Sequence, residues 1–424
     1  MEQEFNEHEH TKKRAKTYNE INSFWHDLND SEYGLYDMAF LSEQDIKDIQ
    51  LVTERVGKVF FKTANLLRNS PDETLLQLDI PQSVLPFIRH KALPVETIIA
   101  RVDLVKTKEG LKVLELNSDT PTFEKEVFHV NNYLCQEFDV VDPNEGLAAI
   151  LGMEMRKALG EALHRTQFSN HPNIVFTSHD QNEEDKLTTQ FLMDTSNVSA
   201  KYVPLHKLTI KKSEGLYDDE GNRIDVLYRQ TYPLEHLLED VSAETGDHIG
   251  VQLIELVFTN KLIMLNPISA FLLQSKAVQS VIWGMKEIDS PYFSTEEKQW
   301  IHDYFLPTYL EEDLFLTKGW KYVKKPSYGR EGDTVSIFQG TKKLVEDQHH
   351  TYEQSLPVYQ KYVELPSLEI RTVTGVKEAK ILIGSFLING KACGIGLRAG
   401  SQITDNNAYF LPVGIKKERR DSRV

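Results

Sequence analysis

The chain has 424 residues, of which 40% are hydrophobic and 26% charged, so it is long enough to fold as two or three domains with buried cores. Its 48 basic and 64 acidic residues give a formal charge of −16, which argues against a general nucleic-acid binder that works by neutralising phosphates. We therefore expect no nucleic-acid partner, and any anionic ligand must find local positive charge.

The cysteine content and the N-terminal segment bear on the cellular compartment. Cys135 and Cys393 lie far apart in unrelated contexts and offer neither a disulfide framework nor a zinc site. The N-terminal segment lacks the apolar core of a secretory signal, and no window approaches the ~18 apolar residues of a transmembrane helix. We expect a cytoplasmic protein without a membrane partner.

The first predicted elements are a long helix and a hairpin. Ser42-Glu-Gln-Asp reads as a capping box, and apolar residues then recur at helical spacing as far as Leu67. From Ile98 to Asn117, polar and apolar residues alternate on both sides of Lys108-Glu109-Gly110, which predicts a hairpin with a three-residue loop. Thr120-Pro121 pairs a capping residue with a proline, so a second helix is predicted to begin there.

The middle of the chain has the pattern of a parallel-sheet module. The strand-like runs 173–178 and 198–203 flank a helical segment from Asn182 to about Thr195, and 225–229 continues the sheet. A helix around Lys276 is predicted next, then mostly strands and turns, with a hairpin turn at Asn389-Gly390. We place domain limits near 165 and 265.

The first chemical constellation lies on the predicted hairpin. Arg101 and Asp103 are two positions apart on one strand, as are Glu115 and Asn117 on the other, so each pair faces the same side of the sheet. The loop sets Asp103 opposite Glu115, and we expect the Asp103 carboxylate to be surface-facing. Carboxylate and amide oxygens suit Mg²⁺ or Mn²⁺. The alternative interpretation is a solvated hairpin face with an Arg–Asp cross-strand pair.

A second constellation is the loop Lys325-Pro-Ser-Tyr-Gly-Arg-Glu-Gly332 between two predicted strands. Glycines at 329 and 332 allow the backbone to close over phosphates, and Lys325 and Arg330 add positive charge. An ordinary hairpin turn is the alternative interpretation.

Three further features are weaker. Lys276 lies early in a predicted helix, where a lysine gains nothing from the helix dipole, although a solvated lysine explains it as well. The extended run from Gln360 to Val363 has a backbone that could bind an adenine edge, or it is a core strand. Arg398 ends a strand whose glycines allow a close approach by another group.

Together, the motifs R-x-D, E-x-N-x-D-T-P-T, K-P-x-x-G-R-E-G and G-x-G-L-R resemble the synthetase part of the glutathionylspermidine synthase family, from about Ala100 to Pro412. The resemblance implies an α/β ATP-grasp fold. Its parts are an N-terminal helical region with the metal-binding hairpin (1–165), a pre-ATP-grasp domain (166–265) and a C-terminal nucleotide-binding domain (266–424).

The resemblance also implies roles for particular residues of this chain. The implied metal ligands are Asp103, Glu115 and Asn117. The implied catalytic arginines are Arg101, Arg330 and Arg398. Lys276, Lys325, Gly329 and Gly332 are the implied ATP-binding residues, joined by Gln360 and Val363 from the extended run. Thr120 and Thr122 stand where family members place hydroxyl residues near the thiol-peptide substrate.

The implied function is an ATP- and Mg²⁺-dependent ligase that joins a small-molecule or peptide carboxylate to an amine through an acyl phosphate. The bifunctional members also have an amidase with a catalytic cysteine, and the first hundred residues here contain none, so amide hydrolysis is not expected. The identities of acid and amine stay open. Two other hypotheses are a nucleotide-binding sensor or scaffold without turnover and a small-molecule kinase.

Overall fold

The structure is a computed structural model that describes residues 5–28, 30–165, 171–231 and 234–417. Its helices, in chain order, are α1 (Glu7–Asn19), α2 (Glu43–Arg68), α3 (Asp72–Gln77), α4 (Leu85–Ile88), α5 (Asn131–Glu137), α6 (Leu147–Arg165), α7 (Glu183–Ser196), α8 (Leu234–Glu239), α9 (Ile249–Phe258), α10 (Val278–Glu287), α11 (Thr295–Tyr304) and α12 (Asp313–Lys318). A π-helical segment (Glu126–Val130) leads into α5, and 3₁₀ turns occupy Leu205–Lys207 and Ile268–Leu273.

The strands of the first half are β1 (Asp27–Leu28), β2 (Ser31–Glu32), β3 (Ala39–Phe40), β4 (Ile99–Thr107), β5 (Gly110–Asn117), β6 (Ile174–Ser178), β7 (Ala200–Tyr202), β8 (Thr209–Lys211), β9 (Gly215–Tyr217), β10 (Arg223–Ile224) and β11 (Val226–Gln230). Those of the second half are β12 (Ile263–Leu265), β13 (Thr308–Tyr309), β14 (Lys321–Pro326), β15 (Ser336–Gln339), β16 (Lys342–Glu346), β17 (Pro357–Lys361), β18 (Ser367–Thr372), β19 (Gly375–Ile388), β20 (Lys391–Gly400), β21 (Tyr409–Leu411) and β22 (Val413–Gly414).

Three sheets organise these elements. A six-stranded antiparallel sheet has the order β21-β20-β19-β4-β5, with β18 also paired to β19, and a five-stranded antiparallel sheet has the order β13-β17-β14-β15-β16. A four-stranded parallel sheet has the order β12-β11-β6-β7, which confirms the predicted parallel module. Three small sheets have the orders β10-β9-β8, β1-β2 and β22-β3. The α/β class is confirmed.

The predicted start of the first long helix is confirmed. Ser42 and Asp45 form the capping box of α2, each bonding the backbone of the other. The helix expected at Thr120 begins later, because the backbone becomes helical only at Glu124. The Thr120 hydroxyl does not cap it: that oxygen accepts from the Arg330 guanidinium at 2.5 Å instead.

The predicted hairpin has the expected partners but a different turn. Arg101 lies opposite Asn117 and Asp103 opposite Glu115. The three-residue loop is wrong, because Thr107 already pairs with Gly110 and only two residues form the turn. A β-bulge at Leu114 inserts one residue and restores the register at Asp103.

The C-terminal part needs two corrections. Lys276 precedes α10, whose N-cap is Ala277, so it does not lie within a helix. The region also contains α11 and α12, which had been expected to be strands and turns. The capping box of Ser294 and Glu297 was the available signal for α11. The turn at Asn389-Gly390 is confirmed, with φ of 50° and 80°.

Helices cover both faces of the six-stranded sheet. On one face, the α2 hydroxyl of Thr53 donates to Ser385 at 2.7 Å. On the other face, the helix after Glu124 packs directly on Gly394 and Gly396, where an added Cβ would lie 2.5 Å from Val127 and 2.4 Å from Phe123. The glycines of β20 therefore allow this helix to pack closely on the sheet that bears the predicted site.

The domain limits stay predictions, and the limit near 165 adjoins residues 166–170, which lie outside the described part of the chain. Within that described part, every helix is too short or too polar to cross a lipid bilayer.

Candidate active site

A cavity of about 1020 Å³ opens where the six-stranded sheet, the five-stranded sheet and the loop 327–335 meet. All the residues predicted for the site line it: Arg101, Asp103, Glu115, Asn117, Thr120, Thr122, Lys276, Lys325, Gly329, Arg330, Gly332, Gln360, Val363 and Arg398. They come from segments separated by up to three hundred residues, so the fold brings together what the sequence only suggests. Their individual roles stay predictions.

The paired strands hold the two carboxylates and the amide side by side. The Asn117 amide nitrogen lies 3.3 Å from Asp103 Oδ2 and 3.3 Å from Glu115 Oε1. Asp103 is not surface-facing, as had been expected: it is only 3% exposed, and its two oxygens accept from Arg101 at 2.7 and 3.0 Å. An Arg–Asp pair is therefore present, but it forms along one strand and not across the hairpin as the alternative interpretation expected, and it is buried at the cavity wall instead of solvated.

The two lysines approach this group from other elements. Lys276 Nζ lies 3.4 Å from Glu115 Oε2 and donates to the Gly329 carbonyl at 2.8 Å. Lys325 Nζ donates to Gln360 Oε1 at 2.8 Å and reaches the carbonyl of the bulge residue Leu114 at 3.4 Å. The bulge thus serves the site, because it turns a backbone carbonyl of β5 toward Lys325.

Burial and charge act in opposite directions on these groups. Burial alone would raise the pKa of Glu115, but Lys276, Lys325 and Arg101 outweigh it, and the pKa falls below its ordinary value. Burial lowers the pKa of Lys325 to about 8, with Lys276 adding to the effect and Glu115 opposing it. The carboxylate therefore stays ionised, while Lys325 titrates close to neutral pH.

The three predicted arginines surround the cavity from different sides. Beyond its ion pair, Arg101 donates to the Thr122 carbonyl at 2.8 Å. Arg330, on the loop 327–335, donates to Thr120. Arg398, on β20, donates to the Asp405 carbonyl at 3.0 Å. The segment 401–407, which includes Asp405, forms part of the cavity rim.

The glycines of the loop 327–335 occupy crowded, left-handed positions. Gly329 has φ of 152°, and a Cβ there would lie 2.7 Å from Pro326. Gly332 has φ of 75°, and a Cβ would lie 2.8 Å from Ile403 and 2.9 Å from the Thr404 carbonyl. Glycine is favoured at both positions, because the loop packs against Pro326 at Gly329 and against the rim at Gly332.

The two residues predicted to bind an adenine edge differ in their position and in their hydrogen bonds. Gln360 lies in the central strand β17, between β13 and β14, and its side chain is committed to Lys325. Val363 lies in the extended segment that follows the strand, where its carbonyl accepts from Gln402 at 3.0 Å.

The parallel sheet contributes the opposite wall. The central strands β6 and β11 run parallel, and their carboxyl ends lead into the cavity at Gln181, Asn182 and Thr231. The connection after β6 leads to β7 at one edge of the sheet, and the connection after β11 leads to β12 at the other edge. The crevice between two such strands is where open α/β sheets bind ligands. Thr120 and Thr122 contact both walls of the cavity: the Thr120 carbonyl accepts from Gln230 of β11 at 3.2 Å, and the Thr122 carbonyl accepts from Arg101 of β4 at 2.8 Å.

A group of acidic residues at this wall was missed by the sequence reasoning. Glu184 and Asp185, at the start of α7, line the cavity, and Tyr33 donates to the fully buried Glu126 at 2.5 Å. Burial raises the pKa of Glu184 and Glu126, and burial raises the pKa of Asp185 to about 6. On sequence alone, Glu184 and Asp185 resemble the acidic residues found in the first turn of any helix.

The donor set suits a hard divalent cation. Within the described residues, no group of three or more His, Cys, Asp or Glu side chains could hold a metal ion, so two carboxylates and an amide are what this site offers. These oxygen ligands fit Mg²⁺ or Mn²⁺, which keep several positions for phosphate oxygens and water. The amide nitrogen that faces the carboxylates would exchange places with its oxygen by a side-chain flip.

Comparisons with known proteins agree with this geometry. Residues 5–416 match a family model described as glutathionylspermidine synthase preATP-grasp. A candidate acid–amine ligase of Haemophilus influenzae is 26% identical over 336 residues, which cover 74% of each protein. A glutathione synthetase-like effector of Globodera pallida, solved in its apo form, has a TM-score of 0.59 at 12% identity over 97% of this chain and 98% of that one, which shows a shared fold. The chain therefore belongs to the glutathionylspermidine synthase family, a family of ligase enzymes.

Proposed function

We propose that the protein is an ATP- and Mg²⁺-dependent acid–amine ligase that forms an amide through an acyl phosphate. The observation that supports this most is the meeting, in one cavity, of the oxygen ligands on the β4–β5 hairpin with cations from four other segments. Those cations are Lys276, Lys325, Arg330 and Arg398. A chain with a formal charge of −16 that gathers so many cations at one cavity is suited to bind a polyphosphate.

The proposed arrangement is that of an ATP-grasp enzyme. ATP lies between the five-stranded and the six-stranded sheet, with Lys276 and Lys325 at its phosphates and the extended segment at Val363 beside its base. Asp103, Glu115 and Asn117 would hold Mg²⁺, which neutralises the phosphates and fixes their orientation when bound. The loop 327–335 covers the phosphates and excludes water.

The reaction would proceed in two steps. A carboxylate oxygen of the acid attacks the γ-phosphorus of ATP, the bond to the bridging oxygen breaks, and ADP leaves. The amine then attacks the acyl carbon, phosphate leaves, and the amine gives up a proton. Arg101, Arg330 and Arg398 are placed to stabilise charge on the transferred phosphoryl group, so no protein nucleophile is needed.

The two substrates would enter at opposite walls. The acid would lie near Thr120 and Thr122, in the crevice at the carboxyl ends of β6 and β11. The amine, which is cationic before it reacts, would lie by the acidic wall of Glu184 and Asp185. A reducing cytoplasm stays the expected compartment, in keeping with the two buried, free cysteines.

The test is the substrate dependence of ADP release. The protein is incubated with Mg-ATP and a metabolite extract, and intact-mass analysis searches for a condensation product. ADP release that needs both an acid and an amine supports the ligase. ADP release that needs one substrate, with a phosphorylated product, indicates a kinase, and nucleotide binding without ADP release indicates a sensor or scaffold. Either of these two outcomes overturns the proposal.

A further inference from the structure

The turn that follows α3 lies against the base of the loop 327–335, although it is about 250 residues away in sequence. Asp79 Oδ2 accepts from the Ser327 hydroxyl at 2.5 Å and from the Leu356 backbone N–H at 2.9 Å. Ser327 and Leu356 are the first and last residues of the excursion from β14 to β17, next to the strand pair Pro326–Pro357. One carboxylate oxygen therefore joins both ends of this excursion.

The excursion consists of the β15–β16 hairpin and the two loops that connect it to β14 and β17, and these two loops contact each other. The outgoing loop (327–335) and the return loop (347–356) are joined by hydrogen bonds from the Thr351 N–H to Asp333 and from the Thr334 N–H to the His349 carbonyl, at 3.1 and 3.0 Å. The outgoing loop bears Gly329, Arg330 and Gly332, which are the proposed cover of the phosphates. An anchor at the shared base thus acts on the whole cover.

Ser327 is bonded through all of its polar groups. Its N–H donates to the Leu356 carbonyl at 2.8 Å, its carbonyl accepts from the Lys276 N–H at 2.7 Å, and its hydroxyl donates to Asp79. The residue is fully buried. Movement of the loop must therefore begin after Ser327.

The Asp79 turn is itself a fixed point. Leu75, Leu78 and Ile80 around it are at most 4% exposed and belong to the main core. The Leu78 carbonyl accepts from the Ser275 hydroxyl at 3.1 Å, and Ser275 adjoins Lys276. The same turn thus touches the segment that bears a proposed phosphate-binding lysine and the base of the loop that covers the phosphates.

The backbone at this position is the one in which helices usually end with glycine. Asp79 has φ of 64°, and the N–H groups of Asp79 and Ile80 bond back to α3 at 3.0 and 3.1 Å. A left-handed residue with a side chain is uncommon, although aspartate and asparagine tolerate it. An aspartate here brings a carboxylate to the loop base, which glycine would not do.

We propose that Asp79 is a positioning residue that fixes the base of the phosphate-covering loop relative to Lys276, and so gives the N-terminal helical region a part in the ligase reaction. The inference rests on the proposed function for its catalytic consequence. Its structural content, that Asp79 restrains both loops, stands without it.

The test uses the full chain and four variants. Asp79→Gly removes the carboxylate, and glycine readily adopts the left-handed backbone. Asp79→Asn keeps an oxygen acceptor, and asparagine also tolerates that backbone conformation. Ser327→Ala removes the hydroxyl from the loop side. Asp72→Asn alters an exposed α3 carboxylate that pairs with Arg89 instead of the loop, and serves as the matched control.

Hydrogen exchange without any ligand is the first readout. Asp79→Gly should speed exchange in segments 327–335 and 347–356 about tenfold, as expected for losing hydrogen bonds to a charged acceptor, and Asp79→Asn and Asp72→Asn should resemble the parent. Ser327→Ala should give a smaller increase in the same segments, and it replaces Asp79→Gly if that variant fails to fold. Unchanged exchange in both Asp79→Gly and Ser327→Ala overturns the inference.

The second readout is the ratio of ADP to amide product. A loosely seated cover admits water to the acyl phosphate, so Asp79→Gly should raise this ratio several-fold, while Asp79→Asn keeps it near the parent value. An unchanged ratio with faster exchange would overturn the catalytic part of the inference. A parent protein that releases no ADP with any acid and amine would overturn the proposed function, and the ligand-free exchange result would still test Asp79.

Discussion

The chemistry of the site depends on a few side chains whose charges are already partnered. Arg101 binds Asp103, Lys276 lies between Glu115 and the Gly329 carbonyl, and Lys325 binds Gln360. In the proposed reaction, ATP would therefore exchange these partners for its phosphate oxygens. Because the partners differ in burial, substitutions at apparently equivalent carboxylates should have different effects.

Glu115→Gln should remove most turnover and leave the fold intact. Its side chain is 27% exposed and lies 3.4 Å from Lys276, which keeps its hydrogen bond to the Gly329 carbonyl, so loss of this charge should cost the fold little. Loss of one charge-stabilising group costs roughly 10²–10³ in rate. Initial rates at saturating Mg-ATP, with thermal unfolding as the control for folding, check this, and parent-like turnover would contradict the metal assignment.

Asp103→Asn should lower stability as well as turnover. The substitution leaves the Arg101 guanidinium, which is 9% exposed, without its charged partner, and breaking such a buried pair costs ~3 kcal/mol. Urea unfolding of Asp103→Asn and Glu115→Gln, measured side by side, should show a clear loss only in the first. Equal stabilities would mean that the Arg101–Asp103 pair contributes nothing to the fold.

Lys325 should make nucleotide binding pH-dependent. Its pKa of about 8 means that the free protein loses the proton as the pH rises past 8, whereas bound phosphate favours the protonated form. Mg-ATP binding should therefore weaken above pH 8 and take up a proton there. Calorimetry in buffers of different ionisation enthalpy measures this uptake, and Lys325→Arg should abolish it, because arginine stays charged. A pH-independent parent would be inconsistent with this role.

At the scale of elements, the site depends on a β-bulge and on glycines that let neighbouring elements pack closely against one another. The bulge at Leu114 sets the register of the hairpin, Gly394 and Gly396 admit the helix after Glu124, and Gly332 admits the rim segment 401–407. Each of these features lies in one element, but the reason for it is a contact with a neighbouring element.

Gly332→Ala should displace the loop 327–335 and lower activity. An added Cβ would lie 2.8 Å from Ile403, so the loop must move away from the rim. We expect kcat/KM for ATP to fall by about tenfold, which corresponds to ~1.4 kcal/mol. Gly340→Ala is the matched control, since Gly340 also has positive φ, of 58°, but has nothing within 4 Å of the added atom. If both variants lose the same activity, backbone strain and not the rim contact is responsible.

At the scale of the whole molecule, the hairpin of the site belongs to a sheet built from distant parts of the chain. β4 and β5 come from residues 99–117, and their neighbours β19 and β20 come from residues 375–400. The hairpin thus cannot form its full set of backbone hydrogen bonds until the C-terminal strands are present.

A chain that ends at residue 366 should therefore fail to fold cooperatively. It lacks β19, which pairs with β4 from Ile99 to Leu104, so a fully buried strand would be left as an unpaired edge. Far-ultraviolet circular dichroism during thermal unfolding checks this. A sharp transition like that of the full chain would show that the N-terminal part is an independent unit.

Local periodicity was enough to predict much of the fold. Ser42 and Asp45 predicted the start of α2, and the alternation from Ile98 to Asn117 predicted the first hairpin. Asn389-Gly390 predicted the turn between β19 and β20, because each signal lies within a few residues of the structure it specifies. Spacing along each strand predicted a shared face for Arg101 with Asp103 and for Glu115 with Asn117, whereas the full set of site residues came from the resemblance to a known family.

Tertiary structure decided the features that depend on a distant partner. The burial of Asp103 follows from Arg101 and the neighbouring strand, the delayed helix after Thr120 follows from the contact with Arg330, and Lys276 lies before α10 because its N–H bonds Ser327. The acidic wall at Glu184 and the contact of Asp79 with the loop base are likewise absent from any local pattern. A sequence determines which groups each element presents, but the energy of a polar contact depends on the partner and the burial that the whole fold supplies.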